Sequence, residues 1–250
     1  MKKVVLLAIT CAVLLLASHA AQAAQSVTVY GDDSYTPYSF SNRGQPDGIY
    51  VKIFQAAFKR MDGYNVTIEL VPWKRAMKLI EKGQGFAAFP PYYRPKLRPW
   101  IQPWSDPILE EGFAVYCRAE VLTSPRPNWP DDYKDLTIGI NAGFSVPDTE
   151  GLKIEEAADN EANLKKLKAG RIDAYVNDDA SIRYTMSQMG ISSDIIKKGT
   201  QINTENGYLA FSRDFDAPYK QDFVAKFNAA IKAMQDSGEI DRIVASFLNQ

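Results

Sequence analysis

Alternation between strand-like and helix-like segments is the feature that most constrains the fold of this chain. Near the start, three apolar runs have the length and residue types of buried strands: SVTVYG at 26–31, NVTIELV at 65–71 and GFAAF at 85–89. Apolar residues recur at helical spacing between these runs, at about 49–61 and 72–83. This order predicts an α/β fold whose mostly parallel sheets are covered by helices on both faces.

A proline-rich segment, SPRPNWPDD at 124–132, interrupts this pattern. Proline lacks an N–H and has a fixed φ angle, so a segment this rich in proline breaks regular structure. A second α/β series follows: strand LTIGI at 136–140, a helix capped by Asp159, strand RIDAYV at 171–176 and a further helix. Strand GYLAF at 207–211 and two helices separated by Gly238 complete the pattern.

We therefore predict two doubly wound lobes, with the second inserted into the first. Residues 24–117 and 210–250 would form lobe 1, with GFAVYC at 112–117 as one of its strands. Residues 118–209 would form lobe 2. The chain would cross between the lobes near Arg118 and near Leu209, and these two crossings would form a hinge.

The first 23 residues have the layout of a cleavable secretory signal. Lys2 and Lys3 precede an apolar run from Val4 to Ala17, and the small-residue site Ala21-Gln22-Ala23 follows. The apolar run is shorter than the ~20 residues that span a bilayer. Cys11 lies inside the run without a small residue before it, which argues against a lipid anchor. We expect export to the periplasm.

Composition excludes several kinds of catalytic site once residues 1–23 are removed. His19, the single histidine, lies in that segment, and Cys117 is then the single cysteine. A Ser-His-Asp or Cys-His pair, a histidine-ligated zinc site and an internal disulfide therefore cannot form. The net charge changes from −1 to about −3, which does not favour nucleic acid. We expect no metal, no cofactor and a buried, inert Cys117.

Open α/β sheets bind ligands beyond the carboxyl ends of their strands, so the residues that follow each strand are the candidate site. In lobe 1 these residues supply acceptors, aromatic rings and a cation: Asp32, Tyr35, Trp73, Tyr92, Tyr93 and Arg98. Prolines in PPYYRPKLRP at 90–99 restrict the backbone, which lowers the entropic cost of binding. Alternatively, the aspartates form a solvated turn, Trp73 caps the core, and Arg94 stacks on tyrosine at the surface.

In lobe 2, the candidates follow strand LTIGI and strand RIDAYV: Asn141, Gly143, Phe144, Ser145 and Asp178. A glycine lets the backbone turn tightly, so exposed amides and the Ser145 hydroxyl can meet an anion. A carboxylate at Asp178 can meet a ligand ammonium. A helix N-cap accounts equally well for one of the two aspartates at 178 and 179.

Five segments carry a resemblance to a known family: YGDDSYTPYSF, VPWKRAMKLIEKG, the spacing from Arg98 to WSDP, DLTIGINAGFS and GRIDAYVND. In this order and spacing, they resemble the type II periplasmic solute-binding proteins of family 3, the polar amino-acid receptors of ABC importers. The resemblance covers nearly all of the chain after residue 23.

The resemblance implies a role for each candidate. Asp32 and Tyr35 would line one wall, Trp73 would contact the ligand, and Arg98 would hold its α-carboxylate. The second lobe would close over that carboxylate with Asn141, Gly143, Phe144 and Ser145. Asp178 would take the α-ammonium, so that a zwitterion bridges charges on opposite walls of the cleft.

The chain also departs from the family pattern. Pro95 stands where the family usually has a threonine, and PPYY replaces a serine-rich segment. Hydroxyl groups are lost and ring surface is gained, which allows a larger or more aromatic solute.

We expect a monomeric receptor that binds a small polar solute, an amino acid or a derivative, and delivers it to an ABC permease in the inner membrane. One alternative is a periplasmic dehydratase-like enzyme that uses Asp32, Asp178 or Glu205 as acid or base. The other is a sensing module for a membrane signalling partner. The last predicted helix ends close to Gln250, so we expect no fusion to a larger receptor.

Overall fold

The computed structural model describes residues 24–248, which form two five-stranded sheets and one three-stranded sheet. Each five-stranded sheet is covered by helices and forms one lobe, so the predicted α/β fold of two lobes is confirmed. The predicted signal segment, residues 1–23, lies outside the described residues.

The strands, in chain order, are β1 (Gln25–Asp32), β2 (Ser34–Tyr35), β3 (Ser39–Asn42), β4 (Gln45–Asp47), β5 (Tyr64–Val71), β6 (Ala87–Phe89), β7 (Ile101–Trp104), β8 (Leu109–Arg118), β9 (Thr137–Asn141), β10 (Lys153–Ala157), β11 (Ala174–Asp178), β12 (Ile196–Gly207) and β13 (Ala210–Ser212). The α-helices are α1 (Ile49–Phe58), α2 (Trp73–Glu81), α3 (Asn160–Lys168), α4 (Asp179–Gln188), α5 (Lys220–Asp236) and α6 (Glu239–Leu248). Short 3-10 helices lie at Ala119–Leu122 and Asp131–Tyr133.

Parallel strands at the centre of each large sheet position the candidate residues. The first sheet has the order β5-β1-β6-β13-β7, and β1 is parallel to both β5 and β6. The second has the order β10-β9-β11-β8-β12, and β9 is parallel to β10 and β11. The carboxyl ends of the parallel strands therefore share one edge in each lobe. The small sheet, β2-β3-β4, follows β1 directly.

The apolar faces predicted for the helices are buried. The buried helix residues include Ile49, Ile53, Phe54, Ala57 and Phe58 in α1, Trp73, Met77 and Ile80 in α2, and Leu164 and Leu167 in α3. Asp159 accepts a hydrogen bond from the backbone N of Ala162 at 2.8 Å and caps α3, as predicted. Gly238 adopts a φ of 66° between α5 and α6.

Sheet pairing corrects the predicted first crossing between the lobes. Strand β8 pairs antiparallel with β11 and β12, so GFAVYC lies in the second sheet and not in lobe 1. The crossing therefore lies near Ile108 and not near Arg118. An apolar run predicts a buried strand, but it does not identify the neighbours of that strand.

The two crossings run side by side. The backbone N of Ser105 donates to the carbonyl of Leu209 at 2.9 Å, and the N of Ile108 donates to the carbonyl of Gly207 at 3.1 Å. Paired short segments of this kind can absorb the dihedral changes of a hinge.

Strands β10 and β12 were not predicted from the sequence. Their sequences, KIEEA and IKKGTQINTENG, are polar. Both strands lie at the edges of the second sheet, where solvent reaches one side, so they lack the apolar runs of central strands.

Cys117 is a free cysteine and its side chain is buried, as predicted. Burial raises the pKa of its thiol to about 12. Within residues 24–248, no helix has both the length and the apolar character needed to cross a bilayer.

Candidate functional site

A cavity of about 20 Å³ lies where the strand ends of the two lobes meet. Its lining contains seven of the residues predicted from the sequence, together with two prolines: Asp32, Tyr35, Trp73, Pro90, Pro91, Tyr92, Arg98, Phe144 and Ser145. A space of this size holds about one water molecule, so the lobes are closed on each other.

A wider groove of about 440 Å³ lies directly outside this cavity. Arg98, Phe144 and Ser145 line both the cavity and the groove. Gly143 lines the groove but not the cavity. Arg98 and the Phe144-Ser145 pair therefore separate the closed inner cavity from the groove that leads to solvent.

Arg98 is the cation of the cavity. Its side chain is buried, at 7% exposed, and its Nη1 has no hydrogen-bond partner among the described residues. Its Cζ lies 5.9 Å from the ring centroid of Trp73, within cation–π range. Burial, with a smaller contribution from the charge of Arg94, lowers the pKa of Arg98 to about 10. The guanidinium stays charged at neutral pH, and a carboxylate would offset the cost of burying it.

Asp32, the last residue of β1, is the acid that lines the cavity. It is 2% exposed, and the backbone N and the Oγ of Ser34 both donate to its Oδ1, at 3.0 and 3.1 Å. Its Oδ2 is therefore the oxygen that can accept from a ligand. Burial raises the pKa of Asp32 to about 7 despite these hydrogen bonds, so this carboxyl titrates near neutral pH. Because Asp32 is buried, the alternative interpretation of this residue as part of a solvated turn is wrong.

The loop after β9 presents Phe144 and Ser145 to the cavity. Gly143 has a φ of 82°, a conformation that favours glycine, and lies against the side chain of Lys74 from the other lobe. Asn141 lies outside the cavity lining. Its Oδ1 accepts from Asn163 Nδ2 and from Tyr175 OH, each at 2.9 Å, so its side chain supports the loop.

Asp178 also lies outside the cavity lining. Its carboxylate accepts from Tyr38 OH at 2.9 Å, from Gly112 N at 2.9 Å and from Ser181 N at 2.8 Å. The hydrogen bond from Ser181 N makes Asp178 the N-cap of α4. A helix N-cap was the alternative interpretation for one of the aspartates at 178 and 179. Tyr38 belongs to the first lobe, so Asp178 links the lobes.

Tyr93 faces away from the cavity. It is 52% exposed and packs against Trp104 and Tyr208, with ring centroids 5.1 and 5.9 Å away. Tyr92 bridges to Gly207 in extended conformation, and successive side chains of an extended segment point in opposite directions. The PPYY segment therefore supplies one tyrosine to the cavity and one to the surface.

Glu111, on β8, is an important residue that the sequence analysis missed. Its buried carboxylate accepts from Tyr92 OH at 2.7 Å, from Tyr50 OH at 2.5 Å and from Tyr35 OH. Burial, with a further contribution from the charge of Asp178, raises the pKa of Glu111 to about 8. The one clue in the sequence is that this acid directly precedes the apolar run GFAVYC.

Further polar contacts join the lobes around the cavity. Asn160 Nδ2 donates to the carbonyl of Thr36 at 3.4 Å, and Ser181 Oγ donates to the same carbonyl. On the outer side, Lys74 Nζ lies 2.5 Å from Glu156 Oε2. First-lobe and second-lobe residues therefore contact one another on more than one side of the cavity.

A larger open groove, of about 950 Å³, lies between α1 and α6. None of the predicted site residues lines it, and within the described residues its lining has no buried polar side-chain atom without a partner. We therefore place the candidate site at the strand ends, where the buried Nη1 of Arg98 has no hydrogen-bond partner among the described residues.

Comparison with solved structures identifies the fold. A histidine kinase sensor domain with similarity to periplasmic binding proteins matches with a TM-score of 0.78 at 18% identity, covering 90% of this chain and 96% of that chain. The substrate-binding protein of an amino acid ABC transporter matches with a TM-score of 0.72 at 19% identity, covering 90% and 100%. This chain has the periplasmic binding protein fold.

An ancestral amino acid-binding protein that is a precursor of cyclohexadienyl dehydratase shares this periplasmic binding protein fold. Its TM-score is 0.72 at 17% identity, and the match covers 89% of this chain and 95% of that chain. No protein-family model and no curated protein matches the sequence. The resemblance predicted from the motifs is thus confirmed at the level of the fold.

Proposed function

We propose that this protein is an exported receptor that closes on a small solute carrying a carboxylate, and that it catalyses no reaction. The observation that carries the proposal is Arg98, a buried guanidinium that lines the cavity between the lobes and whose Nη1 has no hydrogen-bond partner within residues 24–248. A planar guanidinium matches the two oxygens of a carboxylate, and removal from water strengthens that interaction.

The solute also carries an amino group, and we assign its partner to Asp32. Asp178, the residue implied by the family resemblance, already accepts from Tyr38, Gly112 and Ser181. Asp32 lines the same cavity as Arg98 and has Oδ2 available. An amino acid or a close derivative carries both groups on one carbon, so one small solute can meet both of the charged residues that line the cavity.

Lobe closure would couple binding to transport. A ligand that contacts Arg98 in the first lobe and Ser145 in the second interacts more strongly with the closed form, and it shifts the equilibrium by that difference. The secretory layout of residues 1–23 and the fold shared with an amino acid ABC transporter component support delivery to an ABC permease.

A sensing role is the second candidate, favoured by the likeness to a histidine kinase sensor domain. The receptor would then report the closed form to a membrane partner. Crosslinking of the closed protein in membranes, followed by identification of the captured protein, separates a permease from a kinase.

The first test is a thermal-shift screen with amino acids, short peptides and organic acids, because a ligand that binds the folded state raises the melting temperature. We expect a hit among solutes that carry both a carboxylate and an amino group. With that hit, Arg98→Ala should weaken binding at least about 30-fold, since truncating one partner of a buried charge pair costs about 2–5 kcal/mol.

Arg213→Ala is the matched control, because Arg213 is an exposed arginine that pairs with Asp214 outside the cavity. It should leave the affinity unchanged. Unchanged affinity in Arg98→Ala would refute the proposed carboxylate site. Mass spectrometry of each hit after incubation should find no product, and a product would establish an enzyme instead.

A further inference from the structure

Phe144 is a second-lobe residue whose ring packs against the first-lobe rings of Tyr35 and Trp73. Its centroid lies 5.2 Å from Tyr35 and 6.3 Å from Trp73, with interplanar angles of 86° and 73°. Edge-to-face pairs at such distances are attractive. Phe144 also packs against both apolar clusters of the first lobe, the one that contains Tyr35 and the one that contains Trp73.

The loop that carries Phe144 is held in place from behind. The backbone N of Phe144 donates to the carbonyl of Asn141 at 3.0 Å, which closes a tight turn through Gly143. The Asn141 side chain is itself fixed by Asn163 and Tyr175. These hydrogen bonds fix the turn, and the turn fixes the position of the Phe144 ring against the first lobe.

This arrangement leaves little room between the lobes. Tyr35 and Trp73 supply ring surface on which the apolar part of a solute could pack, and Phe144 already contacts both. The remaining cavity of about 20 Å³ is bounded by the charged groups of Arg98 and Asp32 and by Ser145. In this closed form, no space for a large side chain therefore remains beside Phe144.

We propose that Phe144 is a specificity-determining residue that fills the side-chain position of the cleft and clamps the lobes together. Phe144 supplies the apolar contact that a bulky solute would otherwise make, so this protein takes small amino acids and rejects aromatic ones. This proposal is opposite to the expectation of a larger or more aromatic solute that the PPYY segment gave. The size restriction rests on the proposed function, whereas the clamp does not.

The clamp is tested without any solute. Spin labels at Lys78→Cys and Thr149→Cys lie on opposite sides of the outer groove, and Cys117 is buried from the label. We expect the label distance in Phe144→Ala to be longer and more broadly distributed than in the otherwise wild-type protein. An identical distance distribution would overturn the clamp.

Phe215→Ala is the matched control. Phe215 is a partly buried phenylalanine with an edge-to-face contact to Phe86, and it lies in the first-lobe core region and not in the cavity. It should leave the label distance unchanged. If Phe144→Ala does not fold, Phe144→Leu removes the ring while keeping an apolar side chain, and the same opening is expected.

The size restriction is tested by calorimetric titration with glycine, alanine and phenylalanine. We expect the wild type to bind a small amino acid and Phe144→Ala to bind phenylalanine more than about tenfold more tightly than the wild type does, since pocket shape discriminates at this level. Equal phenylalanine affinity in the two proteins would overturn the restriction. If neither protein binds any amino acid, the proposed function fails, and the label distances alone decide whether Phe144 is a clamp.

Discussion

At the scale of single residues, the site combines two buried charges of opposite sign that do not pair with each other. Arg98 and Asp32 line the same cavity, and no ion pair joins them among the described residues. Burying each charge costs free energy, which nearby groups offset in part. Arg98 lies over the ring of Trp73, and Asp32 accepts hydrogen bonds from the N–H and the hydroxyl of Ser34. A ligand with both signs can satisfy both residues at once.

Asp32 should make binding depend on pH. Its pKa is raised to about 7, so the carboxyl is neutral below that pH and does not attract an ammonium group. Affinity for the amino-acid hit should therefore rise with pH from 5 to 8, by up to about tenfold per pH unit below the pKa. Isothermal titration at several pH values measures this dependence.

Asp32→Asn should bind weakly at every pH and show no such rise. Asp33→Asn is the control, since Asp33 is the adjacent acid and does not line the cavity. An Asp32→Asn variant that retained both the affinity and its pH dependence would show that another group holds the ammonium.

At the scale of elements, β8 brings a buried acid to the hinge. Glu111 lies three positions after Ile108, close to the crossing, and accepts hydrogen bonds from tyrosine hydroxyls of the first lobe. Asp178 on the neighbouring β11 accepts from Tyr38 of the first lobe in the same way. Two adjacent strands of the second lobe thus supply carboxylates to first-lobe phenols.

Glu111 should make stability fall as pH rises. Its pKa is raised from 4.5 to about 8 in the folded protein, so between these values the folded state holds a proton that the unfolded state has lost. The stabilisation is complete below pH 4.5 and is lost as pH rises through about 8. Asp32 and Asp178, with pKa values raised to about 7 and about 6, act in the same direction at lower pH.

Glu111→Gln should flatten the dependence of the melting temperature on pH between about pH 4.5 and 8, where the folded and unfolded states differ by the proton on Glu111. The exposed neighbour Glu110 provides the control variant Glu110→Gln, which should melt like the wild type across this range. Differential scanning fluorimetry in a series of buffers measures all three proteins. A Glu111→Gln curve parallel to that of the wild type would assign the titration to other groups.

At the scale of the whole molecule, closure depends on how closely the loop after β9 approaches α2. A Cβ at position 143 would lie 2.8 Å from Lys74 Cγ, so only glycine permits this approach. Lys74 continues past the loop to pair with Glu156. The backbone at Gly143 is therefore part of the contact surface between the lobes.

Gly143→Ala should oppose closure and weaken binding of the amino-acid hit. Gly151→Ala is a matched control, because Gly151 also has a positive φ, of 79°, but no atom of residues 24–248 lies within 4 Å of a Cβ placed there. Both variants carry the strain of a left-handed alanine, about 1–2 kcal/mol. Only Gly143→Ala should lose affinity in titration and shift the spin-label distance towards an open form. Equal affinities in the two variants would show that the close approach is unimportant.

The predictable part of the fold follows from short-range patterns. The core faces of α1 and α2, the Asp159 cap and the buried central strands were all predicted, because each depends on residues within a few positions. The edge strands β10 and β12 were not predicted, because solvent on one side removes the apolar signal. Among the residues that line the cavity, Asp32, Arg98 and Ser145 were predicted because each lies at the end of a predicted strand or in the segment after it.

By itself, the sequence determined the α/β class, the two lobes, and the strand ends as the place where charged and aromatic side chains collect. Only the tertiary structure decided which sheet holds β8, that Tyr93 faces solvent, that Asp178 bonds to Tyr38, and that Glu111 meets three tyrosines. The physical reason is separation along the chain. Tyr38 and Asp178 are 140 positions apart. No local sequence pattern encodes which distant hydroxyl will donate a hydrogen bond to a buried carboxylate.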